Sequence, residues 1–270
     1  MSSIVLSAGV RSNLLQLQQT SDAITQTQTR LATGLRVNSA LDNPNNYFTA
    51  QGLNNRASDL GNLLDSMSTA INTIQAANNG ISAITKLVQS AQSLVSQAQQ
   101  TSDTTTKASL SSQFDAIRSQ IDQLAQDSGF NGINLLNSDN LTVTLNETGK
   151  SSVTISGVGD TSSGLSINAS TGNWAASSDI TAASNALTSA LTTLRGQAQS
   201  LGSSLSTVQI RQDFTKATIN TLQTGANDLT LADSNQEGAN LLALQTRQQL
   251  STTALSLASQ ADQNVLRLFQ

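Results

Sequence analysis

Carboxylates are the side chains through which this chain could most readily do chemistry, because its 270 residues include neither histidine nor cysteine. That composition excludes a Ser-His-Asp or Cys-His nucleophile, an HExxH zinc site and an ordinary structural zinc site. Paired carboxylates could still act as general acid and base. The seventeen acidic residues, however, include only two glutamates, Glu147 and Glu237, and form no dense cluster. We interpret them as helix caps and solvated charges, and we expect no catalytic residues, cofactor or metal.

The composition also indicates what kind of partner the surface meets. Charged residues make up 11% of the chain, against about 25% in an ordinary soluble domain. Ser, Thr, Asn and Gln occupy the polar positions instead, which favours helix surfaces that later contact other protein. A partly disordered polar chain is the alternative, but the regular spacing of Leu, Ile and Val argues against it. Nucleic acid is not an expected partner, because the net charge is −4 and the basic residues are scattered.

Two further patterns concern the route of the chain through the cell. No run of 18 apolar residues is present, so we expect no membrane insertion. The first fifteen residues lack both a basic region and an apolar core of the length a signal peptide needs. The sequence therefore predicts that export, if it occurs, uses another route.

An alternation of steps of four and three predicts a first helix from about residue 4 to about residue 35. The positions are Val10, Leu14, Leu17, Ser21, Ile24, Gln28, Leu31 and Leu35. The pattern stops where Asn38 favours a turn, and the only proline, Pro44, suits the first turn of a new helix. Asp42 or Asn43 would cap that helix. We interpret this stretch as a hinge between two helices.

The middle of the chain predicts an inner bundle with a small insertion. The heptad resumes over about residues 45–100, with a stammer near residue 81 where two steps of three follow each other. A third helix, capped by Ser102 or Asp103, ends at Gly129. Alternating residues then predict a β-hairpin at about 140–157. We interpret residues 157–180 as a surface loop or short extra strands.

The last third mirrors the first. A heptad runs from Leu187 to Leu229, and a second break at Asp233 and Ser234 provides caps for a final helix. One face of that helix carries Leu250, Ala254, Leu257, Ala261, Val265 and Leu268, and Phe269 follows. The predicted fold class is mainly α: long coiled-coil helices from both chain ends pair into a discontinuous bundle with a small β-hairpin insertion. Arg30, Arg36 and Arg247 are either surface charges or partners of Asp42 or Asp233.

Three stretches of this sequence resemble bacterial flagellin. They are "RLATGLRVNSALDNPNNYFTAQGL" near the first break, "GFNGINLL" after the third helix and "EGANLLALQTRQQLSTTALSLASQADQNVLRLF" at the end. The resemblance covers about residues 1–140 and 180–270. Leu41, Asn43 and Pro44 depart from the commoner form of the first motif, which indicates another branch of the family.

The resemblance implies a structural subunit that polymerises into the flagellar filament outside the cell. Residues 1–44 with 230–270 would line the filament channel, and residues 45–229 would form the inner helical domain. The implied partners are other copies of the chain, an export chaperone on the C-terminal helix, the type III export apparatus, and the hook-associated and cap proteins. The terminal helix positions named above, with Phe269, would form the polymerisation interface. Asn38, Asp42, Pro44, Asp233 and Ser234 would form the hinge.

Two other functions are compatible with parts of the sequence. A hook–filament junction protein of the flagellum has similar terminal helices, but it normally carries a larger middle insertion. A soluble, secreted helical binding module would differ from both in being a stable, fully folded monomer with ordered ends.

Overall fold

Long helices and one hairpin account for most of the chain in the computed structural model, which describes residues 8–268 apart from the side chains at 262 and 265–268. The helices are α1 (Ala8–Thr33), α2 (Pro44–Gln100), α3 (Thr104–Asp127), α4 (Ser177–Thr230) and α5 (Ser234–Leu268). The strands are β1 (Leu141–Thr144) and β2 (Ser152–Ile155). The predicted mainly helical class with a hairpin insertion is therefore confirmed. Residues 4–7 of the first predicted helix lie outside the described part.

The chain divides into two compact units. The terminal unit contains the residues up to Asn55 and those from Thr221 onward, and the inner unit is Arg56–Asn220. The division falls inside α2 and inside α4, so each of these helices contributes to both units. The domain limits expected from the sequence, at 44/45 and 229/230, stay a prediction.

The core of the inner unit follows the predicted heptads of α2 and α4. Along α2 the buried positions include Met67, Ile74, Ile81, Ile84, Val88, Ala91, Val95 and Ala98. Along α4 they include Leu187, Leu191, Leu194, Leu201 and Val208. Phe114 and Ile121 of α3 complete the same cluster. The stammer at Ile81 and Ile84 leaves α2 unbroken, and both residues are buried.

Polar side chains fix both ends of α3. Asp103 is its N-cap and accepts a hydrogen bond from the backbone N–H of Thr106 at 2.7 Å. After the helix, the side-chain amide of Asn134 donates to the carbonyls of Ala125 and Gln126, both at 2.8 Å. These bonds satisfy carbonyls that have no partner within the helix. The turn that begins at Gly129 is thereby tied to the end of α3.

The hairpin confirms the alternating pattern. β1 and β2 pair antiparallel, with Leu141 opposite Ile155 and Val143 opposite Val153. Leu141 and Val143 are buried while the residue between them is exposed. The side chain of Asn146 accepts from the backbone N–H of Ser151 at 3.0 Å and so closes the turn between the two strands.

The segment 157–180 was expected as a loop or short extra strands on the surface; up to the start of α4 it is mostly loop and contains no named strand, but the expected surface placement is wrong. Leu165, Ile167 and Trp174 are buried in the inner core, and Trp174 lies 5.1 Å from the ring of Phe114. A short 3-10 turn, Gly172–Trp174, precedes α4, which begins at Ser177. Nothing in the sequence signalled this burial, because the segment is rich in Ser and Gly and its three large apolar residues are not spaced with the period of a helix or a strand.

Candidate assembly site in the terminal unit

Among the described residues no three His, Cys, Asp or Glu side chains lie close enough to hold a metal ion. Nor does any helix in the described range have the length and apolar character needed to cross a membrane. The predicted interface and hinge residues belong to the terminal unit.

The seam between α1 and α5 is the main contact of the terminal helices. On α1 the buried residues are Val10, Thr20 and Thr27, and the half-buried ones include Leu17, Ile24 and Leu31. Thr20 can be buried because its hydroxyl donates to the carbonyl of Gln16 at 2.8 Å. Leu14, which the sequence placed on the seam, is 38% exposed. The seam thus keeps one predicted column of apolar residues and replaces the other with threonines.

On α5 the packed face differs from the face that the sequence singled out. The least exposed positions are Glu237, Leu241, Leu244, Gln248, Ser251, Leu255 and Ala258, again in steps of four and three. The residues highlighted by the sequence point elsewhere: Leu250 is 67% exposed and Leu257 is 62% exposed. Ala254 and Ala261 are exposed as well. Together with Leu242, which is also exposed, these four residues form what we call the outer stripe of α5.

Three of the predicted interface residues cannot be placed in the same way. Phe269 lies outside the described residues. Val265 and Leu268 belong to α5, but their side chains lie outside the described set.

An ion pair joins the two terminal helices. The guanidinium of Arg30 on α1 donates to Oε1 of Glu237 on α5 at 3.1 Å. The Glu237 side chain is only 9% exposed, and its other carboxylate oxygen is buried with no hydrogen-bond partner. The sequence had offered Asp42 or Asp233 as partners for Arg30, and it did not single out Glu237. The seam register of α5, which begins at Glu237, was the signal that could have identified it.

The two breaks in the helical pattern bind each other through the main chain. Gly34 ends α1 with φ of 71°, in the left-handed region that suits glycine, and its N–H donates to the carbonyl of Arg30. Beyond it, the N–H of Arg36 donates to the carbonyl of Thr230 at 2.7 Å, and the N–H of Ala232 donates to that of Gly34 at 2.9 Å. Leu35 and Leu231 consequently face each other in an antiparallel bridge.

The first break is a turn organised by Asp42. One carboxylate oxygen of Asp42 accepts from the backbone N–H groups of Ser39 at 2.9 Å and Asn38 at 3.0 Å. These bonds, the one from Ser39 first, hold the pKa of Asp42 below its usual value. Asn43 caps α2 by accepting from the N–H of Asn46 at 3.1 Å. Pro44 is the first residue of that helix, as predicted.

The second break has a matching cap. Asp233 accepts from the backbone N–H groups of Asn235 at 2.9 Å and Gln236 at 3.2 Å. Ser234, the other proposed cap, is instead the first residue of α5. Leu41 stands out in the first break because it is 96% exposed on a turn that hydrogen bonds hold in place.

Paired terminal helices with an uncharged, exposed apolar stripe are features of a structural subunit that assembles with other chains. The family comparison agrees. Residues 8–141 match the model of the bacterial flagellin N-terminal helical region, and residues 184–269 match that of the C-terminal helical region. The chain therefore belongs to the bacterial flagellin family and is a structural subunit of the flagellar filament.

Individual relatives cover the whole chain. Flagellin FljM of Caulobacter vibrioides is 30% identical over 100% of this chain and 99% of its own length. A flagellin of Brucella melitensis is 27% identical over 100% of both chains. The crystal structure of Bacillus cereus flagellin covers 57% of this chain and 88% of that chain, with 17% identity and a TM-score of 0.48.

Proposed function

We propose that the outer stripe of α5, with the exposed Leu14 and Leu15 of α1, forms the contacts through which copies of this chain polymerise. The observation that carries this proposal is the exposure of Leu242, Leu250 and Leu257 on a helix that already packs its other face on α1. Exposed leucines on one face of a helix leave apolar surface in contact with water. A neighbouring copy that covers this surface removes it from water, which is favourable.

The charge distribution supports the same proposal. Between Ser234 and Ala261, α5 carries only Glu237 and Arg247 as charged residues, and Glu237 is already paired with Arg30. Close packing of copies along this helix therefore requires little desolvation of charge. Most of the large exposed apolar residues of the described chain also lie in the terminal unit: Leu14, Leu15, Leu41, Phe48, Leu231, Leu242, Leu250 and Leu257.

The proposal extends to the positions of the terminal unit in the filament and to its partners. The terminal unit would line the channel of the filament, and Asn38, Asp42, Pro44, Asp233 and Ser234 would hold the connection to the next shell. Before export through the flagellar type III apparatus, a chaperone would cover α5 and keep the outer stripe from water. Hook-associated proteins and cap proteins would lie at the two ends of the filament, and the filament would lie outside the cell. We expect no enzymatic activity.

The experiment is polymerisation of the full chain, seeded or salted out, and followed by sedimentation and negative-stain electron microscopy. The double variant Leu250→Ser with Leu257→Ser is expected to raise the critical concentration about tenfold or more, because two apolar contacts are lost at each interface. The matched control is Gln249→Ser with Gln260→Ser, which changes two exposed polar residues of the same helix.

Wild-type chain and the control should form long filaments at the same concentration. If the double leucine variant polymerises as readily as the control, the outer stripe is not the interface. If the wild-type chain alone forms no filaments at all, the proposal of self-assembly through the terminal unit fails as a whole.

A further inference from the structure

Asp160 carries a buried carboxyl group that makes no hydrogen bond of good geometry to any described residue. It lies in the segment 157–170 of the inner unit, and its side chain is fully buried. Both carboxylate oxygens lack a hydrogen-bond partner among the described residues. The polar group facing it is the amide of Gln197 on α4, and no hydrogen bond of good geometry joins the two. Oε1 of Gln197 is itself buried and without a partner.

A proton on the Asp160 carboxyl group would give both Asp160 and Oε1 of Gln197 a hydrogen-bond partner. An ionised carboxylate can only accept hydrogen bonds, whereas the neutral acid has one O–H donor. That donor can be offered to Oε1 of Gln197, which lacks one. A charged group buried without a partner is far more costly than a neutral one. In agreement, burial raises the pKa of Asp160 from 3.8 to about 6, against an opposing effect of the Gln197 amide.

No charged side chain contributes to the raised pKa of Asp160, and the charged side chains that bond to its segment or to the preceding turn are engaged with other groups. On α3, Asp122 accepts from the N–H of Ser162 at 2.6 Å, and Arg118 donates to the carbonyl of Ile167 at 2.8 Å. In the preceding turn, Asp139 accepts from the N–H of Asn134, and on α4 Arg195 is exposed. Only the neutral amide of Gln197 remains to face Asp160 from α4.

The backbone around Asp160 is ordered by bonds that would break if the segment moved. The N–H of Val158 donates to the carbonyl of Leu135 at 2.7 Å, and the N–H of Asp160 donates to that of Leu136 at 2.9 Å. Further along, the N–H of Ser162 donates to Oδ1 of Asp122 on α3 at 2.6 Å. These amides report directly on whether the segment is closed.

We propose that the segment 157–170 is a proton-dependent clasp: it is held closed against the turn at 135–136 and against Gln197 of α4 while Asp160 is the neutral acid, and ionisation of Asp160 opens it. Ionisation is easier in the open, hydrated state, so the closed state is most stable at acid pH and weakens as the pH rises. A difference of one pKa unit changes the closing equilibrium tenfold. The shift from 3.8 to about 6 therefore corresponds to about a 100-fold change.

The test is hydrogen exchange, read by NMR, on the full-length subunit kept as a dissociated monomer. Protection factors of the amides of Val158, Asp160 and Ser162 should fall about 100-fold between pH 4 and pH 8. The amide of Leu145, bonded to the carbonyl of Ser151 in the hairpin, should not change in the same way. The sole tryptophan, Trp174, gives a second readout, because it should become more accessible to a fluorescence quencher as the pH rises.

Two variants separate the proposed cause from general effects of pH. Asp160→Asn keeps the shape of the side chain without a titrating group and should abolish the pH dependence. Asp65→Asn removes an exposed carboxylate of α2 and should leave it intact. The proposal is overturned if the wild-type protection is flat with pH, or if its fall persists in Asp160→Asn. Direct titration of the Asp160 carboxyl carbon needs no variant, and a midpoint at the ordinary aspartate value would equally overturn it.

Discussion

Arg30 and Glu237 show how much a single pair can matter in a chain with few charges. The sequence has only two glutamates, and both form ion pairs between distant parts of the chain: Glu237 with Arg30, and Glu147 with Arg56 at 2.7 Å. Glu147 is more exposed and lies beside the hairpin turn, so its pair is more strongly screened by water. Glu237 sits in the seam of the terminal helices, where removal of its counter-ion leaves a buried charge.

The residue-scale prediction follows from the burial of Glu237. Arg30→Met should destabilise the monomer by about 1–3 kcal/mol, because the carboxylate of Glu237 is left buried without a donor. Glu237→Gln should cost less, since it replaces the buried charge with a neutral amide. Urea unfolding of the dissociated monomer, followed by circular dichroism, gives both values.

Lys216→Met provides the control for this prediction. Lys216 pairs with Asp213 at 3.5 Å, but both side chains are more than half exposed. Its loss should change the free energy of unfolding by less than about 0.5 kcal/mol. Equal effects of Arg30→Met and Lys216→Met would show that the pair in the seam contributes no more than an ordinary surface contact.

At the scale of elements, α5 shows why helix phase is hard to assign from a sequence. This helix has two stripes with a near-heptad spacing, and the more apolar of the two, with Leu250 and Leu257, was the obvious choice for a contact face. In the subunit it is exposed, while the stripe from Glu237 through Leu241 and Leu244 packs on α1. A hydrophobic stripe indicates that a helix face will be buried, but it does not indicate whether the same chain or another copy will bury it.

Gly80 gives an element-scale prediction on α2. A Cβ at this position would collide with the Ser128 hydroxyl and would lie 2.6 Å from the Leu136 side chain. Gly80→Ala should therefore destabilise the inner unit by about 1–3 kcal/mol, because the neighbouring turn must shift to make room. Thermal unfolding of the monomer measures the effect.

Gly61→Ala is the matched control on the same helix. Nothing lies within 4 Å of a Cβ there, so the gain in helix propensity should stabilise the protein by about 0.5–1 kcal/mol. The two substitutions are chemically identical and should act in opposite directions. If Gly80→Ala is also stabilising, the close approach of the turn to α2 does not limit this position.

For the whole molecule, the uneven distribution of burial predicts uneven stability. Among the described residues α5 buries only Glu237, and α1 buries only Val10, Thr20 and Thr27. The inner unit instead contains a continuous core that runs from α2 through α3 to α4. Long helices with so little buried surface gain most of their stability from later packing.

We therefore expect α1 and α5 to exchange amide hydrogens much faster than the inner core in the monomer, and to become protected in the filament. Hydrogen-exchange mass spectrometry of the two states makes the comparison. Peptides from Met67–Ala98, which already lie in the core, serve as the internal reference and should change little. Terminal helices that are as protected in the monomer as the core would favour a pre-formed surface over one that gains its order on assembly.

The sequence alone determined the helices, the hairpin and the two breaks, because these depend on local chemistry. Heptad spacing predicted α2 and α4 almost residue by residue, and the proline and cap residues placed the start of α2 where the structure has it. The pairing of the two terminal helices also followed from the mirrored order of elements.

The tertiary structure decided which faces are covered, because side-chain burial depends on neighbours that are distant in the sequence. Only the fold placed Leu165, Ile167 and Trp174 in the core, since a segment without a regular period gives no signal of burial. Only the fold paired Arg30 with Glu237 and buried the Asp160 carboxyl group without a hydrogen bond of good geometry. Contacts of this kind depend on the rotation of each helix about its own axis. The local sequence is compatible with many such rotations and therefore does not select one.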